Sequence, residues 1–595
     1  MTHMRNRKSL MIAVALWGCS ISIFADVPSP ATRKPAVPYF MRSMQFQTLQ
    51  TLIFSSQYAG MVRDPYADLL WNPSLICGQK EKSVYFDLNL GRGASQVDLL
   101  PAAPSYYTED YTVSPRWYSE TNINTMNVDP HYNFAALIPL HPKWTLGLFN
   151  RALFDYGPFR STLTWEQERW EGAADSKYFT NEYELQRLEI DNNQQTIFGI
   201  QNEAILGYSP SEKLDLALRL GHYQYNRNGD LYDSKWGIYP HNSFGDLNDE
   251  ALDIKGHHIE AGLGLLYHIN EKTRIGLYGG WMSGSSSEET ASRDTSDSWS
   301  ERDTDTKYYD MDHYELISNN AYEGDATKPR FALTFERELN PNFIFRSFFS
   351  GTWASTDISA KTASWDTTCG EYTYDYYTYG SYHFRNRIYH GGHEGNFDGT
   401  GKEQTSQWRW FASLIWTPGD SWTAFGGIQI QYETSRREFE EISDYWSHNW
   451  NKYTIYAHGT DESIYTHDKV YAFNSESKLW SVFLPIGIKA KVVKGFSLLF
   501  GTDVIMTLTD EKTDGQLLYP ERISRKWENE GLIVEDVETN RYEEYHSQPA
   551  KEFDRAIDHY FGLMYEHPSG VRVFFRSSGE VLDTANWALG FSYNW

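Results

Sequence analysis

The chain has 595 residues, 16% of them aromatic with 42 Tyr and 21 Trp, and a formal net charge of −26. That charge argues against a nucleic-acid partner, which calls for a basic surface. Mean hydropathy is −0.58, and beyond the N-terminus no apolar run reaches the roughly 18 residues of a membrane helix; this excludes helical spans but not membrane β-strands, whose signal is weaker and alternating.

Residues 1–25 read as a secretory signal peptide: a basic start (Arg5, Arg7, Lys8), an apolar run from Leu10 to Phe24, and Ala25 before Asp26. Cys19 sits in that run, which continues past it through Ile21 and Ile23, unlike a lipoprotein box. Cys77 and Cys369 could pair, but two cysteines make no disulfide framework. Residues 26–82 form a second unit. It opens with a Pro-rich linker (Pro28, Pro30, Pro35, Pro38) and continues with a looser helical pattern over 40–70, where Met44, Leu49, Leu52, Ile53 and Tyr58 are candidate buried positions.

The segment from Asp64 to Ser74, DPYADLLWNPS, follows. On its own it is a helix ended by an Asn-Pro turn. It also resembles the Asp-x-x-Ala…Asn-Pro-Ala segment that opens the long-chain fatty-acid transporter (FadL-like) superfamily of outer-membrane proteins. Asp64, Ala67, Asn72 and Pro73 match that pattern, and Ser74 replaces its Ala. The resemblance implies that these four residues belong to an N-terminal hatch inside a membrane barrel, usually one of fourteen strands. It further implies passage of small, hydrophobic molecules.

From residue 83 to 595 one unit repeats: strand, tight turn, strand, long polar stretch. Leu214, Leu216, Leu218 and Leu220 face one side, against Asp215, Ala217 and Arg219. Trp408, Trp410, Ala412, Leu414 and Trp416 alternate with Arg409, Phe411 and Ser413, and Phe331, Leu333 and Phe335 with Arg330 and Glu336. Period 2 of this kind is a strand with one greasy and one wet face. Short turns fall at His141-Pro142-Lys143, Ser209 to Lys213, Asn270 to Thr273, Asn340 to Asn342, Thr417 to Ser421, Lys494-Gly495 and Pro568 to Gly570. Between them lie polar stretches at 91–131, 155–192, 226–254, 283–328, 357–404, 434–477 and 509–554. A soluble all-β protein rarely carries such loops. An outer-membrane barrel alternates short periplasmic turns with long outer loops by rule.

The last ten residues, NWALGFSYNW, put Trp587, Leu589, Phe591, Tyr593 and Trp595 on one face and small or polar residues on the other. Ten such residues span a bilayer as a barrel strand. A terminal aromatic there resembles the final strand of outer-membrane barrels, which implies a partner in the barrel-assembly machinery.

Inward positions carry both signs of charge: Arg151, Glu203, Asp215, Arg219, Glu260, Arg330, Arg346, Arg409, Asp503 and Arg572. They read either as a constriction that selects solutes or as ion-pair ladders that hold wall and hatch together. Stretch 283–328 has twelve Asp or Glu against four Lys or Arg, without EF-hand spacing. Tyr374, Tyr376, Tyr377 and Tyr379 could stack on ligands at the pore mouth, or simply line an exposed hairpin. His390 and His393 lack an evident third metal ligand and no G-x-S-x-G accompanies them, so neither enzyme, metal nor cofactor is expected.

The expected fold is all-β: a transmembrane antiparallel up-and-down barrel of about 14–16 strands, with long outer loops and a short hatch-like segment. The expected setting is the outer membrane of a Gram-negative-type (diderm) bacterium, with the lipid bilayer and a small-molecule solute as partners. Two functions stay open: a channel or transporter, and a surface receptor or adhesin whose acidic, aromatic loops bind while the barrel anchors.

Overall fold

The computed structural model describes residues 48–49, 62–89, 132–157, 185–239, 242–303, 307–378, 381–419, 421–455, 457–528, 531–546, 550–578 and 587–595, with four short strand pieces between 96 and 126. The signal segment, the Pro-rich linker and Met44, Leu52, Ile53 and Tyr58 lie outside them.

One closed antiparallel barrel of sixteen strands dominates. Its strands are β1 (Ser83–Asn89), β2 (Tyr132–His141), β3 (Trp144–Gly157), β4 (Leu185–Ser211), β5 (Leu214–Tyr239) and β6 (Asn242–Asn270). Then come β7 (Thr273–Asp303), β8 (Lys307–Asn340), β9 (Phe343–Thr378), β10 (Ser381–Gly419) and β11 (Trp422–Ile455). The wall finishes with β12 (Ala457–Val493), β13 (Phe496–Glu528), β14 (Ala550–Glu566), β15 (Val571–Ser578) and β16 (Trp587–Asn594). Each pairs with its sequence neighbour, and β1 closes on β16 from Ser83↔Asn594 to Asn89↔Ala588. Where the wall crosses the bilayer, closure leaves no edge, which a bilayer demands because it offers no water to unpaired N–H and C=O groups.

Burial is inverted relative to a soluble protein. Leu263 is 68% exposed while Glu260, on the opposite face of β6, is 3% exposed. The outward face carries Leu216, Leu218, Leu220, Ile259, Leu333, Leu414 and Ile486. Aromatic pairs ring the short-turn end: Trp144 on Tyr208 (4.4 Å between centroids), Trp416 on Trp422 (4.7 Å), Phe496 on Tyr565 (4.7 Å) and Tyr593 on Trp595 (5.3 Å). A belt of this kind between interfacial aromatics is a lipid-facing surface. At two short turns the chain needs a left-handed residue, supplied by Gly495 (φ 82) and Gly570 (φ 90).

The polar stretches differ from loops. In 226–254, 283–328, 357–404, 434–477 and 509–554 the strands run on and stay paired almost to their tips. The β6–β7 hairpin holds register from Asn270↔Thr273 to Asn242↔Ser300. These hairpins form a palisade above the membrane, with strands as long as the 39 residues of β10. An additional strand, Gly531–His546, pairs with the upper half of β13, whose lower half is taken by β14. Epitope tags in 283–328 or 434–477 should therefore be labelled on intact cells, while tags at Asn270-Glu271 or Thr417-Pro418 stay hidden. Labelling of the short turns would invert the topology. Cys77 and Cys369 are both free. Cys77 lies at the hatch, 3.6 Å from the Leu216 carbonyl, and Cys369 lies on the palisade part of β9, opposite His313.

Candidate functional site

The hatch starts from an aspartate that organises its own backbone. The Asp64 carboxylate accepts hydrogen bonds from the amides of Tyr66 (2.9 Å) and Ala67 (2.8 Å), and from the Thr48 hydroxyl (2.5 Å). Two 3₁₀ turns follow, Ala67–Leu70 and Pro73–Gly78, rather than a long helix. Pro73 explains the break. It holds Asn72 extended (φ −150, ψ 110) and then serves as the first residue of the next turn. Asn72 caps that turn by accepting from the Ser74 amide (2.9 Å), and its own Nδ2 donates across to the Leu265 carbonyl of the wall (2.9 Å).

The wall is shaped to receive it. A Cβ on Gly264 would lie 2.6 Å from Ser74 Oγ and 2.7 Å from Asn72 Oδ1, and one on Gly276 would collide with Asn72 Nδ2. Ile76 fits over Gly147 and Gly207 in the same way. Tyr66, Leu69, Trp71 and Ile76 share one apolar cluster with wall residues Tyr85, Ala217, Phe348, Phe411 and Phe425. Trp71 packs on Phe348 with centroids 5.3 Å apart.

A buried ionic latch joins hatch to wall. Arg346 donates to the Val62 carbonyl (2.8 Å) and to Asp68 (2.6 Å), and its Nε lies 3.0 Å from Glu336. Glu336 also pairs with Arg274 (3.0 Å) and with Arg63 of the hatch. Arg346 is 0% exposed and Asp68 6%.

A second ladder crosses β3 to β8 on the lumen face. Arg151 grips both oxygens of Glu203 (3.2 and 3.0 Å), Arg219 donates to Glu203 (2.7 Å), and Arg330 pairs with Glu260 (2.5 Å). Arg219 Nε stands 3.6 Å from Glu260, and the Tyr278 hydroxyl donates to Glu260 (3.0 Å) while accepting from Arg330 (2.9 Å). Buried charges persist only when paired this densely. Above the membrane, Glu288 sits inside the palisade, and burial pushes its carboxyl up to about 8 although Arg227 pulls it the other way.

Of the charges the sequence singles out, Arg151, Glu203, Arg219, Glu260 and Arg330 thus form one ladder and Arg346 belongs to the latch. Arg409 stands apart, 3.3 Å from Gln431. Asp503 is fully buried, opposite Asp558 in register. Asp215 and Arg572 sit beside the short turns and serve them: Asp215 accepts from Ser209 (2.5 Å) and contacts His268 (2.8 Å), and Arg572 pairs with Glu566 (2.9 Å). Tyr374, Tyr376 and Tyr377 lie on the palisade part of β9, where only the backbone is described, and Tyr379 is outside the described residues. Sequence reasoning missed Asp68, Arg63 and Tyr278. Asp68, one turn beyond Asp64 in the hatch motif, carried the one available signal.

The faces can be tested within one strand. Leu218→Arg should cost about 2–4 kcal/mol, the penalty for Arg at the bilayer midplane, and lower the yield of heat-resistant folded barrel. Ala217→Arg points into the apolar cluster that holds the hatch, so it should leave the barrel inserted but raise its conductance. Equal loss of folded barrel with no conductance change would refute the register.

No protein-family model matches the chain, and no curated protein matches it. Among solved structures the chain is similar to a Pseudomonas aeruginosa FadL homologue, at 8% identity, covering 91% of this chain and 97% of that one, with a TM-score of 0.28. It is also similar to the Ralstonia pickettii toluene transporter TbuX (9% identity, 71% and 93% covered, TM-score 0.25) and to the CymD monoaromatic hydrocarbon channel (9%, 64% and 91%, 0.23). Overlaps this low add nothing to what the wall, belt and closure of the barrel establish by themselves. By that architecture, a closed sixteen-strand barrel with an apolar outer face, the chain is a membrane-type β-barrel.

Proposed function

We propose that the protein is an outer-membrane channel for small hydrophobic molecules, closed at rest by a hatch drawn from residues 26–82 and set in a barrel spanning 83–595. The carrying observation is the lumen face of β9 to β13. Phe348, Phe411, Phe425, Phe483 and Ile505 all point inward there and are buried, in a compartment that membrane barrels usually keep polar. The charged ladder lies on β3 to β8, whereas these five large apolar side chains stand on β9 to β13 among polar neighbours such as Gln429, Ser481 and Asp503. An apolar solute leaving lipid finds apolar contact along these five side chains. The hatch buries part of the same lining under Trp71, so its displacement exposes a path and a greasy surface together.

The height of the palisade supports the receptor reading as a second one, since strands of 39 residues build far more outer structure than a pore needs. Uptake into cells or liposomes separates the two. Toluene and a long-chain fatty acid should enter faster with the protein than without it, and glucose should not. Equal acceleration of glucose, or none of any probe with the hatch deleted, would leave the receptor reading in place of the channel.

A further inference from the structure

Among the described residues, one of the places where polar side chains break the lipid-facing belt is a pair of asparagines beside His222. Asn150 on β3 and Asn202 on β4 are register partners and both point outward. Along β3 they are bracketed by Leu146 and Leu148 on one side and Phe154 on the other. Along β4 the brackets are Ala204 and Leu206, then Ile200 and Phe198. The pair therefore lies within the belt, just beneath the outer aromatic cluster in which Phe154 contacts Tyr132 (6.3 Å) and Phe198 (5.3 Å).

The three polar groups form a directed chain. The Tyr132 hydroxyl donates to Asn150 Oδ1 (2.6 Å), and Asn150 Nδ2 donates to Asn202 Oδ1 (2.7 Å). Asn202 Nδ2 is then the terminal donor, and among the described residues nothing accepts from it. It opens onto an outward notch of about 440 Å³ whose walls include Phe134, Leu148, Ala204, Leu220 and His222. A primary amide facing hydrocarbon with spare N–H groups is expensive, and such residues in membrane spans mark sites. The surrounding medium dictates what reaches it. Within hydrocarbon, the acceptors that such a donor can find are the ester or amide carbonyls of an acyl lipid.

We infer that this notch is a lipid-binding site, in which Asn202 Nδ2 donates to the ester or amide carbonyl of an acyl lipid whose chain lies along Leu148, Ala204 and Leu220. The upstream hydrogen bonds from Tyr132 and Asn150 orient the amide and polarise it toward the lipid. The site is on the outside of the wall and is independent of how the lumen is used.

The test uses the full protein in nanodiscs of a phosphatidylcholine with ester-linked chains, and of its diether analogue, which keeps the headgroup and removes both carbonyls. Lipids retained after detergent extraction are counted by native mass spectrometry. Wild type should retain the ester lipid about five-fold more than the ether lipid, the worth of one neutral hydrogen bond. Asn202→Leu should retain both at the ether level. Ala204→Trp, which fills the notch and leaves the amides in place, should retain neither, and it carries the test if the leucine variant fails to insert. Equal retention of ester and ether lipid by wild type, or an ester preference that survives in either variant, overturns the proposal. A merely structural role for Asn202 would lower barrel stability equally in both lipids and leave no ester preference to lose.

Discussion

Replacing Arg346 by leucine should turn a closed channel into a flickering one while the barrel stays folded. The substitution leaves Asp68 and the Val62 carbonyl buried without their donor, whereas Glu336 keeps Arg274 and Arg63. Removing one partner of a buried pair costs about 3–5 kcal/mol. The wall does not bear that cost, because its ladder of backbone hydrogen bonds is untouched; the hatch does. Against it stand Tyr66, Leu69, Trp71 and Ile76, whose burial holds the hatch by roughly 1.5–3 kcal/mol each. Their sum exceeds the loss, so the hatch should remain seated most of the time. The open fraction should rise by roughly a hundred- to a few thousandfold, since each 1.4 kcal/mol is a factor of ten. Single-channel recording reads this directly. The double variant Asp68→Leu with Arg346→Leu should recover most of the closure, because an apolar pair of similar size removes the stranded charge. Wild-type conductance from the single variant would mean that the latch holds nothing shut.

The wall was legible in the sequence because the bilayer writes a strong contrast into it. Leu214 to Leu220 and Trp408 to Trp416 alternate against charges, and the structure puts those faces outward and inward as read. The palisade was not legible as strands for the same reason. Above the membrane both faces meet water, so Ser283 to Ser287 and their partners carry no alternation and look like loop, although their Ser and Thr content suits a sheet. Inward parity also says nothing about height. Asp215 stands two positions beyond Lys213 in a turn, and that closeness to the turn is what places it at the rim rather than in the ladder with Arg219. The hatch was half legible. Asn72 and Pro73 announce a local cap and break, but the latch joins Asp68 to Arg346 across 278 residues of chain, and no local pattern encodes that meeting.

The C-terminal strand carries the largest expected effect. Phe591 to Trp595 supplies the pairs Phe591↔Phe86, Ser592↔Tyr85, Tyr593↔Val84 and Asn594↔Ser83 on one side, and Phe591↔Val573, Ser592↔Arg572 and Tyr593↔Val571 on the other. The Trp595 amide also donates to the Lys82 carbonyl (3.0 Å). Deleting these five residues opens the seam between β1 and β15 over the half nearest the periplasm. Each N–H and C=O left in hydrocarbon costs several kcal/mol, so the total exceeds the 5–15 kcal/mol by which whole domains are stable. The truncated chain should fail to close and be degraded in the periplasm. Trp595→Ser removes one interfacial ring that stacks on Tyr593 and no pairing of the wall. It should slow assembly and change the stability of barrel already folded by about 1 kcal/mol or less. Membrane-inserted yield followed over time separates the two variants from each other and from wild type. A deletion variant that inserts normally would show that the seam closes without its last strand segment, which the pairing of β1 on β16 does not permit.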